Sequence, residues 1–385
     1  MKSKISKREF IRTGIYGACG AALGLSYLKT IASGMTAKHN ETNKPAGLGK
    51  FSHEAMYYTP GEGYVTCNLC PNGCVLEPGD FSVCRNKTNE KGKLYTVAYG
   101  NPCTVNIDPI EKKPLFHFVP GLKVYSLATG GCNLRCLNCQ NWTISQFSAK
   151  DLNGYDMMPE KIVEDCLKSK CRAIAYTYSE PTSYYEYMHD TAKLARQKGL
   201  RNILISNGYI NTKPLSELSR YIDGANINLK SFKDSIYKEL NGGKLKPILN
   251  TLSLLKDAGV MLEITNLVVP TWTDDLKMIR EMCKWLYDNG FSEYPLHFSR
   301  FTPMYKLTQL PVTPVSVLDS AIKIAADAGL KYVYIGNVPA HKAENTYCPS
   351  CKKAIIERKG FTVLSNNIVD GKCKFCKHPI KGVWS

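Results

Sequence analysis

The chain has 385 residues, 44% hydrophobic and 22% charged, which is ordinary globular usage and enough to bury one large core with small appendages. Its formal net charge of +17 raises nucleic acid or an anionic membrane as a partner, but residues 1–30 and 341–385 carry eleven of those charges. The middle is only mildly basic and no nucleic-acid module accompanies the charge, so a solvated face is preferred and a nucleic-acid partner is set aside. Sixteen cysteines are present, and eleven fall into three groups at 67/70/74/84, 132/136/139 and 348/351/373/376. Steps of three or four residues strain a disulfide and instead converge thiolates on a metal, which excludes a disulfide framework.

Residues 1–37 start basic and then run weakly apolar with many Gly and Ala, the shape of an export signal or a membrane anchor. The segment Ser6-Lys7-Arg8-Glu9-Phe10-Ile11 resembles a twin-arginine signal with Lys in place of the first Arg, a route that carries proteins already loaded with cofactor. The expected location is divided between export or membrane association, from this segment, and the cytoplasm. Residues 38–66 read as a linker and 67–120 as a cysteine-rich module. Over 121–340, apolar runs at 124–128, 173–178, 202–206, 225–229, 261–269, 295–301 and 332–335 alternate with helix candidates such as 183–197, 246–258, 274–289 and 315–328. Such alternation predicts an α/β fold with a parallel sheet, closed into a partial or full (β/α) barrel. Polar residues gather where the runs end, at Cys132, Glu180, Asn207, Lys230, Arg300 and Asn337, where a barrel carries its chemistry.

Directly after the first of these runs comes Gly130-Gly131-Cys132-Asn133-Leu134-Arg135-Cys136-Leu137-Asn138-Cys139-Gln140-Asn141-Trp142. Three thiolates at C-x3-C-x2-C can hold three corners of a cubane and leave the fourth iron open, whereas an electron-transfer cluster would want four cysteines. With Tyr176-Thr177-Tyr178-Ser179-Glu180-Pro181, Ser206-Asn207-Gly208, Asn228-Leu229-Lys230, His297-Phe298-Ser299-Arg300 and Gly336-Asn337-Val338-Pro339, the chain resembles the radical S-adenosylmethionine superfamily. Within it the likeness is to pyruvate formate-lyase activating enzymes and, most of all, to the radical enzyme of the AmmeMemoRadiSam system. The resemblance implies a four-iron four-sulfur cluster on Cys132, Cys136 and Cys139, with S-adenosylmethionine contacted from Asn138, Gln140, Glu180, Asn207, Asn228, Lys230, His297 and Arg300. It casts Glu180, at the family's Gly-Gly-Glu position, as acceptor for the methionine ammonium, Lys230 as partner of its carboxylate, and His297 and Arg300 as strand-end residues that close over the cofactor. Two positions depart from the pattern: Asn138 stands where an aromatic residue is usual, and Asn228 where an Asp is usual.

On the flanks, Cys67, Cys70, Cys74 and Cys84 give C-x2-C-x3-C-x9-C, able to take zinc or an auxiliary cluster. The pairs Cys348/Cys351 and Cys373/Cys376, with a hairpin expected between them, read as a zinc ribbon over 341–385 that staples a domain with little core of its own. The expected activity is reductive cleavage of S-adenosylmethionine to a 5'-deoxyadenosyl radical that takes a hydrogen atom from a small-molecule or protein substrate, with a flavodoxin- or ferredoxin-type donor. Activation of a glycyl radical partner is the alternative enzyme reading, and a passive iron-sulfur or metal-binding redox protein is the alternative outside catalysis.

Overall fold

The seven apolar runs, most of them followed by an amphipathic stretch, become seven parallel strands of one sheet. In the computed structural model, which describes residues 48–385, an eighth strand precedes them. The sheet comprises β1 (Thr104–Pro109), β2 (Lys123–Ala128), β3 (Ala173–Tyr176), β4 (Arg201–Ser206), β5 (Gly224–Asn228), β6 (Met261–Val268), β7 (Leu296–Arg300) and β8 (Val333–Gly336). They lie side by side in chain order, parallel throughout except for the antiparallel pair β1/β2. Since β1 and β8 are the two edges, the barrel is partial rather than full. The added β1 was not expected. Its segment, Thr104-Val105-Asn106-Ile107-Asp108-Pro109, mixes polar residues with a proline and suits an edge.

Helices α1 (Pro159–Lys168), α2 (Tyr185–Gln197), α3 (Thr212–Ser219), α4 (Leu245–Asp257), α5 (Leu276–Asp288) and α6 (Val315–Asp327) cover the outer face. Helix α5 illustrates why they form. Met278, Ile279, Met282, Cys283 and Leu286 recur at helical spacing and are buried, each apolar side chain contributing on the order of 1.5–3 kcal/mol. Its start is fixed by Asp275, whose carboxylate accepts from the N–H groups of Lys277 (2.9 Å) and Met278 (3.4 Å), a cap worth about 1 kcal/mol.

The inner face is closed at the N-terminal ends of the strands. Ile110, Leu115, Phe118, Val119 and Leu122, from the crossing between β1 and β2, pack on Val124, Ala173, Ala175, Ile203 and Met261. Beside this apolar plug lies a polar one. Glu263 accepts from the His117 N–H (2.6 Å) and pairs with His297 Nε2 (2.6 Å), while His117 Nε2 meets the Tyr334 hydroxyl (2.7 Å). Arg358 of the C-terminal module reaches in, donating to the Phe116 carbonyl (2.7 Å) and to Thr346 Oγ1 (2.9 Å). The C-terminal hairpin, Ala354–Lys359 with Thr362–Asn366, packs through Ile355 on Phe116, Tyr332 and Tyr334, with Cys348 and Cys373 in the same cluster. Strands also appear at His53–Glu54, Tyr58–Pro60 and Val65–Cys67. The linker expected over 38–66 is therefore corrected from residue 53 onward: Ala55, Val65 and Cys67 are buried there, and those side chains give the segment a core to fold against. The expected signal or anchor at 1–37 lies outside the described residues. Among the described residues no helix is long and apolar enough to cross a membrane.

Candidate active site

The loop after β2 carries the cysteine triad at the C-terminal end of the sheet. Gly131 sits at φ 98°, and a Cβ there would fall 2.5 Å from Asn86 Nδ2 and 2.6 Å from the Cys84 carbonyl, so the position demands glycine. The loop is clamped from two sides: the N–H groups of Arg135 and Leu137 donate to the carbonyls of Asn241 (2.8 Å) and Leu240 (2.9 Å), and the Lys306 N–H donates to Leu137 (3.0 Å). Two of the three sulfurs receive N–H groups. Leu134 N lies 3.4 Å from Cys132 Sγ, Asn207 Nδ2 3.8 Å from the same sulfur, and Asn241 Nδ2 3.2 Å from Cys136 Sγ. Burial pushes the Cys132 thiol well above its ordinary range, with the Glu180 charge adding to it. Burial also raises Cys139, and Lys230 pulls against it. Thiols of this kind stay protonated until a metal displaces the proton. Three soft sulfur donors, two of them given N–H hydrogen bonds and with no carboxylate among them, fit an iron-sulfur cluster.

Glu180, Asn207, Asn228 and Lys230 all stand at strand C-terminal ends around the triad. Glu180 is buried, and its carboxylate accepts from Thr182 N (3.1 Å), Thr182 Oγ1 (2.8 Å), Ser206 Oγ (2.7 Å) and Asn207 N (2.8 Å). Burial raises its carboxyl against those four donors. Asn207 joins the triad loop through Asn133 Oδ1 (2.9 Å), and Gly208, at φ 71°, lets the chain turn where a Cβ would strike Ile227 at 2.8 Å. Asn228 Nδ2 donates to the Ser206 carbonyl (3.1 Å), and the Lys230 N–H to the Tyr237 hydroxyl (2.9 Å). Asn138 is half-buried and Gln140 exposed on the triad loop itself. Arg300 ends β7 as expected, with Nε on the Thr313 carbonyl (2.8 Å). His297 does not belong with them. It is the second residue of β7, on the face that meets Glu263, so the sheet's register holds it at the opposite end from the triad.

Several residues that sequence reasoning missed complete the site. Asn241 reaches Cys136 only because the π-helical turn Tyr237–Asn241 brings it under the loop, and no periodicity marks that. Tyr178 stands where the resemblance places a glycine and takes φ 64°, a strained geometry for a bulky residue. Asn141 Nδ2 holds its carbonyl (2.6 Å), and its hydroxyl reaches Asp108. Lys112 (2.9 Å) and Lys113 (2.7 Å) also pair with Asp108. Burial opposes the Asp108 charge, but Lys113, Tyr178 and Lys112 hold its carboxyl well below the usual range. Lys113 is itself pushed down by burial to about 8, against the pull of Asp108. A strained non-glycine residue beside the triad loop was the available signal, but φ is not written in a single sequence.

Residues 126–286 match the model of the radical SAM superfamily. An uncharacterized protein of Methanocaldococcus jannaschii is 46% identical over 330 residues, covering 85% of this chain and 98% of that protein. The chain belongs to the radical SAM superfamily. Among its radical SAM relatives, the pyruvate formate-lyase 1-activating enzyme of Escherichia coli is 24% identical over 175 residues, covering 44% of this chain and 71% of that enzyme. A solved domain of a pyruvate-formate lyase-activating enzyme from Bacteroides vulgatus is 18% identical with a TM-score of 0.36, covering 42% of this chain and 98% of that one. Radical SAM membership implies S-adenosylmethionine and a four-iron four-sulfur cluster as cofactors, and the triad at the end of β2 has the donor set to hold that cluster.

Proposed function

We propose that this chain is an enzyme that reductively cleaves S-adenosylmethionine at the triad and uses the resulting radical to take a hydrogen atom from a substrate. The carrying observation is a set of three thiols, not four, at the C-terminal mouth of a partial barrel, with N–H groups on the sulfurs of Cys132 and Cys136. A cluster held that way supplies an iron free to chelate the cosubstrate and one electron to its sulfonium. The chain's own residues position and enclose. Asn241 and Asn207 tune and fix the sulfurs, Lys230 offers a cation near Cys139, and Glu180 locks the ends of β3 and β4 together while adding negative charge beside Cys132. With its carboxylate already given four protein donors, Glu180 acts on the methionine ammonium through the one lone pair left on Oε2. His297 is withdrawn from the cosubstrate contacts.

The electron donor is of the flavodoxin or ferredoxin class. An AmmeMemoRadiSam-type reaction is the preferred reading because both flanking cysteine modules match it. A glycyl radical activating role is favoured by the Escherichia coli relative. At the ribbon, we propose zinc: Cys348 and Cys376 sulfurs lie 3.5 Å apart, Cys351 and Cys373 sulfurs 3.8 Å, and all four fall within 4.8 Å, the span of about 3.8 Å that tetrahedral zinc-sulfur bonds of about 2.3 Å produce. The test is anaerobic incubation of reconstituted full-length protein with S-adenosylmethionine and a one-electron reductant. 5'-Deoxyadenosine is expected, falling at least about a hundredfold in Cys136→Ala, where one cluster corner is lost. A fully loaded protein that yields none is a passive metal protein.

A further inference from the structure

We infer that Cys67, Cys70, Cys74 and Cys84 hold a second iron-sulfur cluster, packed against the loop that carries the barrel triad. Two turns present the four thiols. Cys67 ends the strand Val65–Cys67, and its N–H donates to the Cys74 carbonyl (2.9 Å), closing the turn on which Cys70 sits. Cys84 arrives on a second turn, closed by the Arg85 N–H on the Ser82 carbonyl (2.9 Å). Cys67, Cys70 and Cys84 are buried and Cys74 is half-buried. The sulfurs carry hydrogen bonds as the triad's do: Ser82 Oγ stands 3.1 Å from Cys84 Sγ, and Val83 N 3.5 Å from Cys74 Sγ. A buried set of four thiolates with no oxygen or nitrogen ligand takes zinc or an iron-sulfur cluster.

Spacing favours the cluster. The one group among the described residues drawn to single-ion spacing, within 4.8 Å, is the ribbon's. The N-terminal four are neighbours but not drawn so tight, and neither is the barrel triad, whose sulfurs must span the corners of a cubane. The N-terminal four thus resemble the proposed cluster site, and not the ribbon, in lying wider than a single ion draws its ligands.

Position supplies the role. The Cys84 carbonyl lies against Gly131, the residue before Cys132. Asn72 Nδ2 donates to the Asn133 carbonyl (2.8 Å) and Asn86 Nδ2 to the Gly130 carbonyl (2.7 Å). One backbone contact thus separates a ligand of each centre, close enough for two paramagnetic clusters to broaden each other's signals. This coupling rests on the reading of the triad as a cluster site.

The test is metal and sulfide analysis of the anaerobically reconstituted full-length chain, with electron paramagnetic resonance after reduction. Expected are about eight iron, about eight sulfide and about one zinc per chain. In Cys70→Ser or Cys84→Ser iron should halve, ribbon zinc should stay, and the remaining signal should sharpen and still respond to S-adenosylmethionine. About four iron and two zinc in the unaltered chain overturns the inference without any variant having to fold. The two readings fail separately: Cys136→Ala that keeps all iron sinks the triad, and Cys70→Ser that keeps all iron sinks the N-terminal cluster.

Discussion

Asn241 touches Cys136 across 105 residues of sequence, and the consequence is electronic as much as structural. Hydrogen bonds to cluster sulfurs stabilise the reduced, more negative state. Asn241→Leu should keep the iron and the fold, yet lower the triad cluster's midpoint potential by on the order of tens of millivolts in a redox titration. An unchanged potential would mean the amide does not act on the sulfur. The three triad cysteines were legible because spacing alone announces them. Asn241, Asn133 and Tyr178 were not, since their roles depend on which loops meet. His297 was misplaced for a related reason: a basic residue near a strand end carries no mark of which end of the barrel it faces until register is known.

At the scale of elements, the N-terminal module is pinned to α2 by Lys87 and Glu186, each about 1% exposed and ion-paired, with the Met56 N–H as a further donor to Glu186 (3.0 Å). Removing one partner leaves a buried charge uncompensated. Lys87→Met should cost about 3–5 kcal/mol in urea denaturation, and Lys87→Met with Glu186→Leu should recover much of it. Additive losses would argue against a coupled pair. At the barrel's closed end, His117 Nδ1 faces the Lys381 carbonyl at 2.7 Å, which can only accept, so the proton sits on Nδ1 and Nε2 accepts from Tyr334. Burial pushes the ring down to about 4, despite the neighbouring Glu263 charge. An unfolded chain would take up a proton near pH 6.5 that the folded chain refuses, so stability from this group is complete above about 6.5 and is lost as pH falls toward 4, by up to about 3 kcal/mol. Urea midpoints from pH 7 to pH 5 should fall more steeply in the unaltered protein than in His117→Gln. Equal slopes would remove His117 as the cause.

For the whole molecule, the ribbon is a lid on the end of the barrel opposite the triad, because Arg358, Cys348 and Ile355 pack into the same layer as Phe116 and Tyr334. Stripping the zinc proposed for it, or Cys351→Ser, should lower the melting temperature through a loss of several kcal/mol, while the iron proposed at the triad is retained; calorimetry beside iron analysis would check both, and an unmoved melting temperature would mean the hairpin holds without metal. By itself the sequence determined the strand-helix alternation, the α/β sheet, the three cysteine groups and the end of the sheet that bears the cysteine triad, because hydrophobic period and thiol spacing are local properties of a chain. Tertiary structure alone decided that the barrel is open, that residues 53–67 fold rather than link, that His297 belongs to a buried plug, and that Cys84 lies against Gly131. Each of these is a contact between segments tens to hundreds of residues apart, fixed by strand register and by what remains to be buried once the sheet has formed.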